Sequence, residues 1–172
     1  MPKETTIYIA QSVDGYIATE DGSVKWLDDF QDSSYTGYDT FLSQIDTVIM
    51  GEKTYAQIKS FDCYWPYPKQ HTYVFTHNKK YVDSESVSFS NSSVTALMGL
   101  LDEKNSWIVG GANIIAQFLE ENLVDTLTIS TIPIILGKGI RLFENTNTLT
   151  LKLIRSESYK MGMVENSYKI LK

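Results

Sequence analysis

Few residues of this chain can form the cross-links that define several classes of small protein. Its 172 residues include one cysteine, Cys63, and two histidines. A single cysteine cannot form an intramolecular disulfide, and a structural zinc site normally takes four cysteine or histidine ligands. We therefore expect neither a disulfide framework nor a metal site.

Basic residues and long apolar runs are also scarce. Lysine and arginine number 15 against 21 aspartates and glutamates, which gives a formal net charge of -6. Proteins that bind nucleic acid usually present a basic face, which this composition does not favour. The apolar runs are too short for a transmembrane helix or a signal peptide. We expect no nucleic-acid partner, no membrane contact and a cytoplasmic location, while a local pocket for a small anion stays open.

The remaining composition is that of an ordinary folded domain. Hydrophobic residues make up 42% and charged residues 21% of the chain, and we find no repeat, linker or low-complexity tract. A chain of this length can bury a substantial core. We therefore predict a single domain over residues 1–172.

The segment from Ser106 to Leu119 is the most informative part of the sequence. A short apolar run ends in Gly110 and Gly111, and an amphipathic pattern follows to about Asn122. This order predicts a strand, a tight turn and a helix, whose first N–H groups and positive dipole end suit a phosphate. Two glycines are weaker than a full Gly-x-Gly-x-x-Gly motif, so simple turn chemistry stays open as an alternative.

Hydrophobic periodicity predicts alternating strands and helices followed by a β-rich end. We expect strands over 5–10, 16–18, 46–50, 71–76, 106–109 and 124–131, helices over 35–44, 53–58, 94–103 and 112–122, and two antiparallel strands over 149–154 and 163–171 that join near Gly162. The order predicts an α/β fold with a mostly parallel central sheet and antiparallel C-terminal strands.

Three predicted strands end in glycine or polar residues that we expect at one edge of the sheet. The strands that end at Met50 and Val109 each run into glycine and then a helix, and the strand over 71–76 runs into a polar cluster. Ligands of open α/β sheets bind at the carboxyl ends of the strands. The convergence favours an extended anionic ligand.

Four segments, in their order and spacing, resemble the dihydrofolate reductase superfamily. They are the loop with Asp14 and Gly15 between Ala10 and Ile17, then residues 48–55, residues 108–111, and residues 132–143. The last of these resembles the C-terminal reductase domain of the bifunctional riboflavin-biosynthesis deaminase/reductase. The resemblance implies a three-layer α/β/α fold, a homodimer, and NADPH-dependent hydride transfer to a pterin- or aminopyrimidine-like ring, as in 5-amino-6-(5-phosphoribosylamino)uracil reductase.

The resemblance also implies four groups of cofactor contacts. The nicotinamide would lie against Ala10, Ile17 and Val109; the cofactor phosphates against Gly51, Lys53 and Thr54; the adenosine end with its 2′-phosphate against Thr76, His77 and Asn78; and the pyrophosphate against Gly110, Gly111, Ala112, Asn113 and Ile114. Backbone N–H groups at a helix start suit a pyrophosphate independently of any family.

The sequence departs from the family pattern at two places. Glu52 stands where many relatives carry arginine, and a carboxylate repels a nearby phosphate. Glu52 therefore points elsewhere, or NADPH binds weakly, or NADH is preferred. No acid matches the pterin-binding carboxylate cleanly. Asp28 and Asp29 are candidate proton donors or substrate anchors, but they and Asp32 fit equally well as solvated residues at a helix start, where the dipole favours carboxylates. Trp26 is either a wall of the substrate pocket or a core residue.

The sequence constrains the identity of the substrate less than that of the fold or the cofactor. Apart from Lys138 and Arg141, little basic charge is available for a substrate phosphate, and the 172 residues contain no deaminase module. We therefore expect a stand-alone reductase for a different heterocycle. A nucleotide-binding protein of the same fold without turnover is the alternative, and the apolar C-terminal hairpin with residues 133–143 is a candidate dimer interface.

Overall fold

The computed structural model describes residues 3–31, 35–101, 104–144 and 146–172. The main sheet has eight strands: β1 (Thr5–Ser12), β3 (Thr47–Gly51), β4 (His71–Phe75), β5 (Val87–Ser90), β6 (Ser106–Gly110), β7 (Thr126–Ile132), β9 (Thr150–Ser158) and β10 (Val164–Leu171). A small second sheet pairs β2 (Tyr16–Ala18) with β8 (Ile140–Arg141). The helices are α1 (Gly37–Leu42), α2 (Glu52–Ser60), α3 (Val94–Leu100) and α4 (Ala112–Glu120), with a 3-10 helix over Lys25–Phe30.

The strand order of the main sheet is β5-β4-β3-β6-β1-β7-β10-β9. The first six strands in this order are mutually parallel, whereas β10 runs antiparallel to both β7 and β9. This arrangement confirms the predicted mostly parallel sheet with antiparallel C-terminal strands.

Alternation along the strands directs successive side chains to opposite faces of the sheet. On one face, Ile7, Ile49 and Ile108 pack in a cluster with buried residues of α3 and α4. On the other face, Tyr8 and Trp107 belong to a second cluster, against which side chains of α1 and α2 pack. The sheet therefore lies between two helical layers, which confirms the three-layer α/β/α fold.

Several elements differ from their predicted bounds. Helix α1 covers only part of predicted 35–44, and α3 ends at Leu100, while Asp102 and Glu103 lie outside the described residues. The sequence analysis missed β5, β8 and the 3-10 helix, because these elements are too short to show a period. Strand β9 extends past Ile154 to Ser158; every residue of this edge strand is exposed, so its polar end carries no burial pattern.

Residues 133–139 form a loop that is fixed to the start of the chain. The Asp14 carboxylate accepts hydrogen bonds from the backbone N–H groups of Leu136 (3.1 Å) and Gly137 (2.7 Å). A hydrogen bond from the Ser12 hydroxyl is the largest of the contacts that lower the pKa of Asp14. Gly139 has φ +151°, and a Cβ there would lie 2.2 Å from the carbonyl oxygen of Ala18. Asp-Gly is a common turn pair, which indicates a structural role for Asp14. The contacts of Asp14 with the loop agree with that role.

Among the described residues, no helix is long and apolar enough to cross a membrane. The same part of the chain holds no cluster of three or more His, Cys, Asp or Glu side chains that could bind a metal ion.

Candidate active site

The carboxyl ends of β4, β3 and β6 lie side by side, because these strands are neighbours in the sheet. Gly51 ends β3 and is the N-cap of α2, and Gly110 ends β6 directly before Gly111, the N-cap of α4. The predicted convergence of the three strand ends is confirmed.

The starts of α2 and α4 are packed against each other at this edge. A Cβ on Gly51 would lie 3.1 Å from Cγ1 of Ile114, and a Cβ on Gly111 would lie 3.7 Å from Oγ1 of Thr54. Gly110 has φ +129°, a backbone conformation that favours glycine, and the peptide bond between Gly110 and Gly111 is cis. The close approach of Ile114 accounts for glycine at Gly51, and the positive φ accounts for glycine at Gly110.

Neither of these two helices has a side-chain cap. The N-caps Gly51 and Gly111 make no side-chain cap hydrogen bond, whereas the Ser93 hydroxyl caps α3 by accepting from the N–H of Ala96 at 3.1 Å. The first N–H groups of a helix lack intrahelical partners. Two adjacent uncapped helix starts therefore offer backbone donors and two positive dipole ends to an anion.

The Glu52 carboxylate points towards the end of β4. It accepts hydrogen bonds from the Thr76 hydroxyl and from Nδ2 of Asn78, the latter at 3.3 Å. These two contacts lower the pKa of Glu52, so the group stays ionised. Glu52 thus occupies two donors that the family resemblance gives to the cofactor's 2′-phosphate, while Lys53 and His77 are exposed.

A cavity of about 880 Å³ opens beside the glycine turns. Its floor includes alternate residues of three adjacent strands: Tyr8 and Ala10 of β1, Trp107 and Val109 of β6, and Ser130 and Ile132 of β7. Its other walls include Leu27, Phe30, Gln31, Tyr35, Tyr38, Met161 and Met163. The cavity is mostly apolar and aromatic, which suits a flat ring.

Two of the three predicted nicotinamide contacts line this cavity. Ala10 and Val109 are part of its floor. Ile17 instead packs, half-buried, against the core cluster on the α3–α4 face of the sheet.

The structure does not bring the candidate acids into the cavity. Asp28 and Asp29 are exposed on the 3-10 helix, which turns Leu27 and Phe30 towards the cavity instead. Trp26 of the same helix is buried behind the wall, packed with Ile132 and Met163. Its Nε1 has no hydrogen-bond partner among the described residues. Asp32 lies outside the described residues.

A buried carboxylate that the sequence did not predict lies beside the cavity floor. Glu165 of β10 is 1% exposed and accepts hydrogen bonds at Oε2 from the hydroxyls of Tyr8 (2.6 Å), Tyr35 (2.5 Å) and Ser130 (3.1 Å). Its Oε1 accepts from Nη2 of Arg155 at 2.5 Å. A glutamate within a β-rich tail was the available signal, but its partners come from four distant segments.

Lys138 and Arg141, the cations considered for a substrate phosphate, are engaged elsewhere. Nζ of Lys138 lies 2.8 Å from Oε2 of Glu20. The guanidinium of Arg141 stacks over the Tyr16 ring, 4.8 Å from the ring centroid. Among the described residues that line the cavity, none is lysine, arginine or histidine. Its lining therefore offers no cationic side chain to a phosphate.

Comparison with known proteins agrees with this architecture. The family model described as "RibD C-terminal domain" matches residues 4–164. The uncharacterized protein YwjB of Bacillus subtilis is 41% identical over 157 residues, covering 89% of this chain and 90% of its own. A crystal structure named "Putative riboflavin biosynthesis protein", from Shewanella sp. PV-4, is 28% identical and superposes with a TM-score of 0.88 over the full length of both chains.

Two more distant structures share the fold. The deaminase/5-amino-6-(5-phosphoribosylamino)uracil reductase of Thermotoga maritima is 17% identical with a TM-score of 0.76, and the match covers 99% of this chain and 57% of that one. Dihydrofolate reductase of Enterococcus faecalis, complexed with NADP(H), is 15% identical with a TM-score of 0.66 over 98% of this chain and 97% of its own.

Proposed function

The chain belongs to the RibD C-terminal domain family, and on that premise we propose that it is a reductase that transfers a hydride from a reduced nicotinamide cofactor to a pterin- or aminopyrimidine-like heterocycle. One observation carries the proposal. Val109 lines the ring-sized cavity, and two residues later Gly111 begins the uncapped helix α4. A ring site and a pyrophosphate site are thus joined by three consecutive residues.

The residues at the strand ends fit a dinucleotide. The backbone of Gly110, Gly111, Ala112, Asn113 and Ile114 would hold the pyrophosphate, with Gly51, Lys53 and Thr54 on the neighbouring turn. Ala10 and Val109 would contact the nicotinamide, whereas Ile17 packs on the other face of the sheet. Thr76, His77 and Asn78 would contact the adenosine end. A Cβ on Gly111 would project towards Thr54, into the gap between the two helix starts. A side chain larger than a methyl group at position 111 would therefore fill this gap.

The position of Glu52 bears on the choice between NADPH and NADH. Dihydrofolate reductase of Enterococcus faecalis, which shares the fold and is complexed with NADP(H), supports NADPH as the cofactor. The ionised Glu52 on Thr76 and Asn78 repels a 2′-phosphate at that place and can accept a hydrogen bond from a free ribose hydroxyl. We propose that NADPH binds with a weakened 2′-phosphate contact and that NADH is also accepted.

The chain's own contribution to the reaction is mainly positioning. A bound reduced nicotinamide supplies the hydride. The small side chain of Ala10 leaves room for a ring against β1, and the aromatic walls at Tyr38 and Trp107 exclude water from the ring faces. Because Asp28 and Asp29 do not reach the cavity, we assign the accompanying proton to water.

Fluorescence titration with NADPH and NADH tests the cofactor site, and loss of nicotinamide absorbance with a panel of pterins and aminopyrimidines tests turnover. We expect binding of both cofactors and oxidation with at least one ring. Failure of both cofactors to bind would overturn the proposal. Binding without oxidation across the panel would favour the second candidate, a nucleotide-binding protein without turnover, for which the displaced Asp28 and Asp29 are the specific support.

We also propose that the protein forms a homodimer through the edge strand β9. Every residue of β9 is exposed, including Leu151, Leu153 and Ile154. An exposed edge strand presents unpaired backbone groups with which a strand of another chain can pair, and the exposed apolar side chains would be covered by such a partner. Sedimentation velocity is expected to show a dimer, and a monomer at every concentration would contradict this assignment.

A further inference from the structure

A row of three residues connects the nicotinamide side of the cavity with the buried carboxylate. Ala10 pairs with Ser130 across β1 and β7, and Ser130 pairs with Glu165 across β7 and β10. Neighbouring strands lie about 4.8 Å apart. Glu165 is therefore about two strand spacings from the residue against which a nicotinamide would lie, within the span of a two-ring heterocycle.

Glu165 acts on the cavity through three hydroxyl groups. Tyr8, Tyr35 and Ser130 all line the cavity, and all three donate to the same carboxylate oxygen. The hydroxyls of Tyr8 and Tyr35 are also in contact with each other. Three cavity-lining hydroxyls therefore converge on one buried negative charge.

The proton of each hydroxyl is committed by these bonds. A hydroxyl has one proton to donate and two lone pairs that accept. Burial, followed by the hydrogen bond to Glu165, raises the pKa of Tyr35 far above its usual value, so this hydroxyl stays protonated and donates to the carboxylate. What the three groups still offer to a ligand is acceptor capacity.

The charges around these hydroxyls also favour a ligand that donates hydrogen bonds over an anionic one. Among the described residues, Arg155 is the one cation that contacts Glu165; it lies on β9, where it also pairs with Glu157 at 3.2 Å. With no cationic side chain among the described lining residues, a phosphate in the cavity would meet acceptor oxygens and a buried carboxylate. A ring that presents amino or ring N–H groups would meet partners of the correct kind.

Building on the proposed reductase function, we propose that Tyr8, Tyr35 and Ser130, positioned by Glu165, form the substrate-recognition site, and that this site selects unphosphorylated heterocycles with amino or ring N–H groups. The three hydroxyls contact the substrate. Glu165 is a positioning residue that orients them as acceptors. The substrate class is then narrower than that of the family, because a phosphoribosyl substituent is selected against.

Ligand pairs that differ in one feature test this selection without any cofactor. The first pair is 2,4-diaminopyrimidine and pyrimidine, which share a ring but differ in N–H groups. The second pair is uridine and uridine 5′-monophosphate, which differ in the phosphate. Titrations followed by tryptophan fluorescence and ligand-observed NMR measure weak affinities, and Trp107 in the cavity floor serves as the reporter. We expect at least about a 10-fold preference for the first member of each pair.

Variants separate recognition from mere stability. Tyr35→Phe removes one acceptor and is expected to reduce the diaminopyrimidine-to-pyrimidine affinity ratio about 5-fold, and Glu165→Gln to bring it close to one. Tyr38→Phe is the matched control, because Tyr38 lines the same cavity but is not among the hydroxyls that donate to Glu165. In this control both affinities change together and the ratio stays.

A ratio near one in the unaltered protein, no measurable binding of either ring, or an unchanged ratio in Tyr35→Phe would overturn the proposal. Tighter binding of the phosphorylated nucleoside would do the same. These outcomes are independent of the nicotinamide titrations. Cofactor binding without ring selection leaves the reductase proposal standing alone, and ring selection without cofactor binding removes the reductase function but keeps this site.

Discussion

The two halves of the candidate active site use opposite hydrogen-bonding chemistry. At the glycine turns the available groups are backbone N–H donors at the starts of α2 and α4. At the far end of the cavity they are side-chain acceptors organised by Glu165. The first region suits an anion and the second repels one, so under the proposed function a cofactor and a substrate would be distinguished by charge.

The largest effect is expected from filling the donor half. Gly111→Val puts a branched side chain into the gap towards Thr54 at a φ of -74° that valine can adopt. We expect affinity for both nicotinamide cofactors to fall at least about 100-fold with the fold retained, because backbone donors lose access to the pyrophosphate. Fluorescence titration and circular dichroism measure this.

Gly99→Val on α3 is the matched control for this substitution. Gly99 is exposed, and a Cβ there meets no atom within 4 Å. Cofactor affinity should remain that of the unaltered protein. If Gly111→Val also left affinity unchanged, the pyrophosphate site would have to lie elsewhere.

The acceptor half is tested for stability by two carboxylates that share Arg155. Glu165 is 1% exposed and Glu157 is 45% exposed. Glu165→Gln replaces a buried charge that has four donors and is expected to lower the free energy of unfolding by about 2–3 kcal/mol. Glu157→Gln loses a surface pair and should cost about 0.5 kcal/mol or less. Urea denaturation measures both, and equal losses would mean that the cluster is not the buried network described.

A charge change within the donor half is expected to alter cofactor preference. Glu52→Arg removes the carboxylate from Thr76 and Asn78 and introduces a cation for the 2′-phosphate. We expect the ratio of NADPH to NADH affinity to rise about 10-fold. Glu120→Arg makes the same charge change at the far end of α4 and is the control. Equal ratios in both variants would show that Glu52 does not face the cofactor.

The smallest effect is expected at Asp14, where a side-chain carboxylate is the acceptor and backbone N–H groups are the donors. Asp14→Asn weakens the bonds to Leu136 and Gly137 and should lower the melting temperature slightly at neutral pH. Because the pKa of Asp14 is lowered in the folded state, its contribution is present above the ordinary aspartate pKa and is lost as pH falls through the lowered value. Melting curves of the two proteins should therefore converge in acid, and a constant difference would contradict this assignment.

The donor half could be predicted from sequence, and the acceptor half could not. Gly51 and Gly110 follow apolar runs directly, so strand, turn and helix are all encoded within about ten residues. Glu165 has no such local context, since its burial depends on β10 pairing between β7 and β9. Tyr8 was part of a predicted strand, but the direction of its hydroxyl depends on a residue 157 positions away.

The 3-10 helix illustrates the same limit in reverse. Asp28 and Asp29 lie in the region of the sequence where a catalytic acid was expected, but both are exposed in the fold. Their neighbours Leu27 and Phe30 line the cavity instead. A six-residue helix has too few turns to reveal which side is buried. Residue type alone therefore directed attention to the wrong face.

The distance along the chain between contacting residues determines the order in which the parts of the site form. The hydrogen bond from Thr76 to Glu52 spans 24 residues, whereas the bond from Tyr8 to Glu165 spans 157. Contacts between distant parts of a chain form late, because a long loop must close first. During folding, the contact between Thr76 and Glu52 is expected to form before the cluster of hydroxyls around Glu165. A substrate bound at that cluster would then hold β10 in the sheet, and amide hydrogen exchange in this strand would slow more than at the glycine turns.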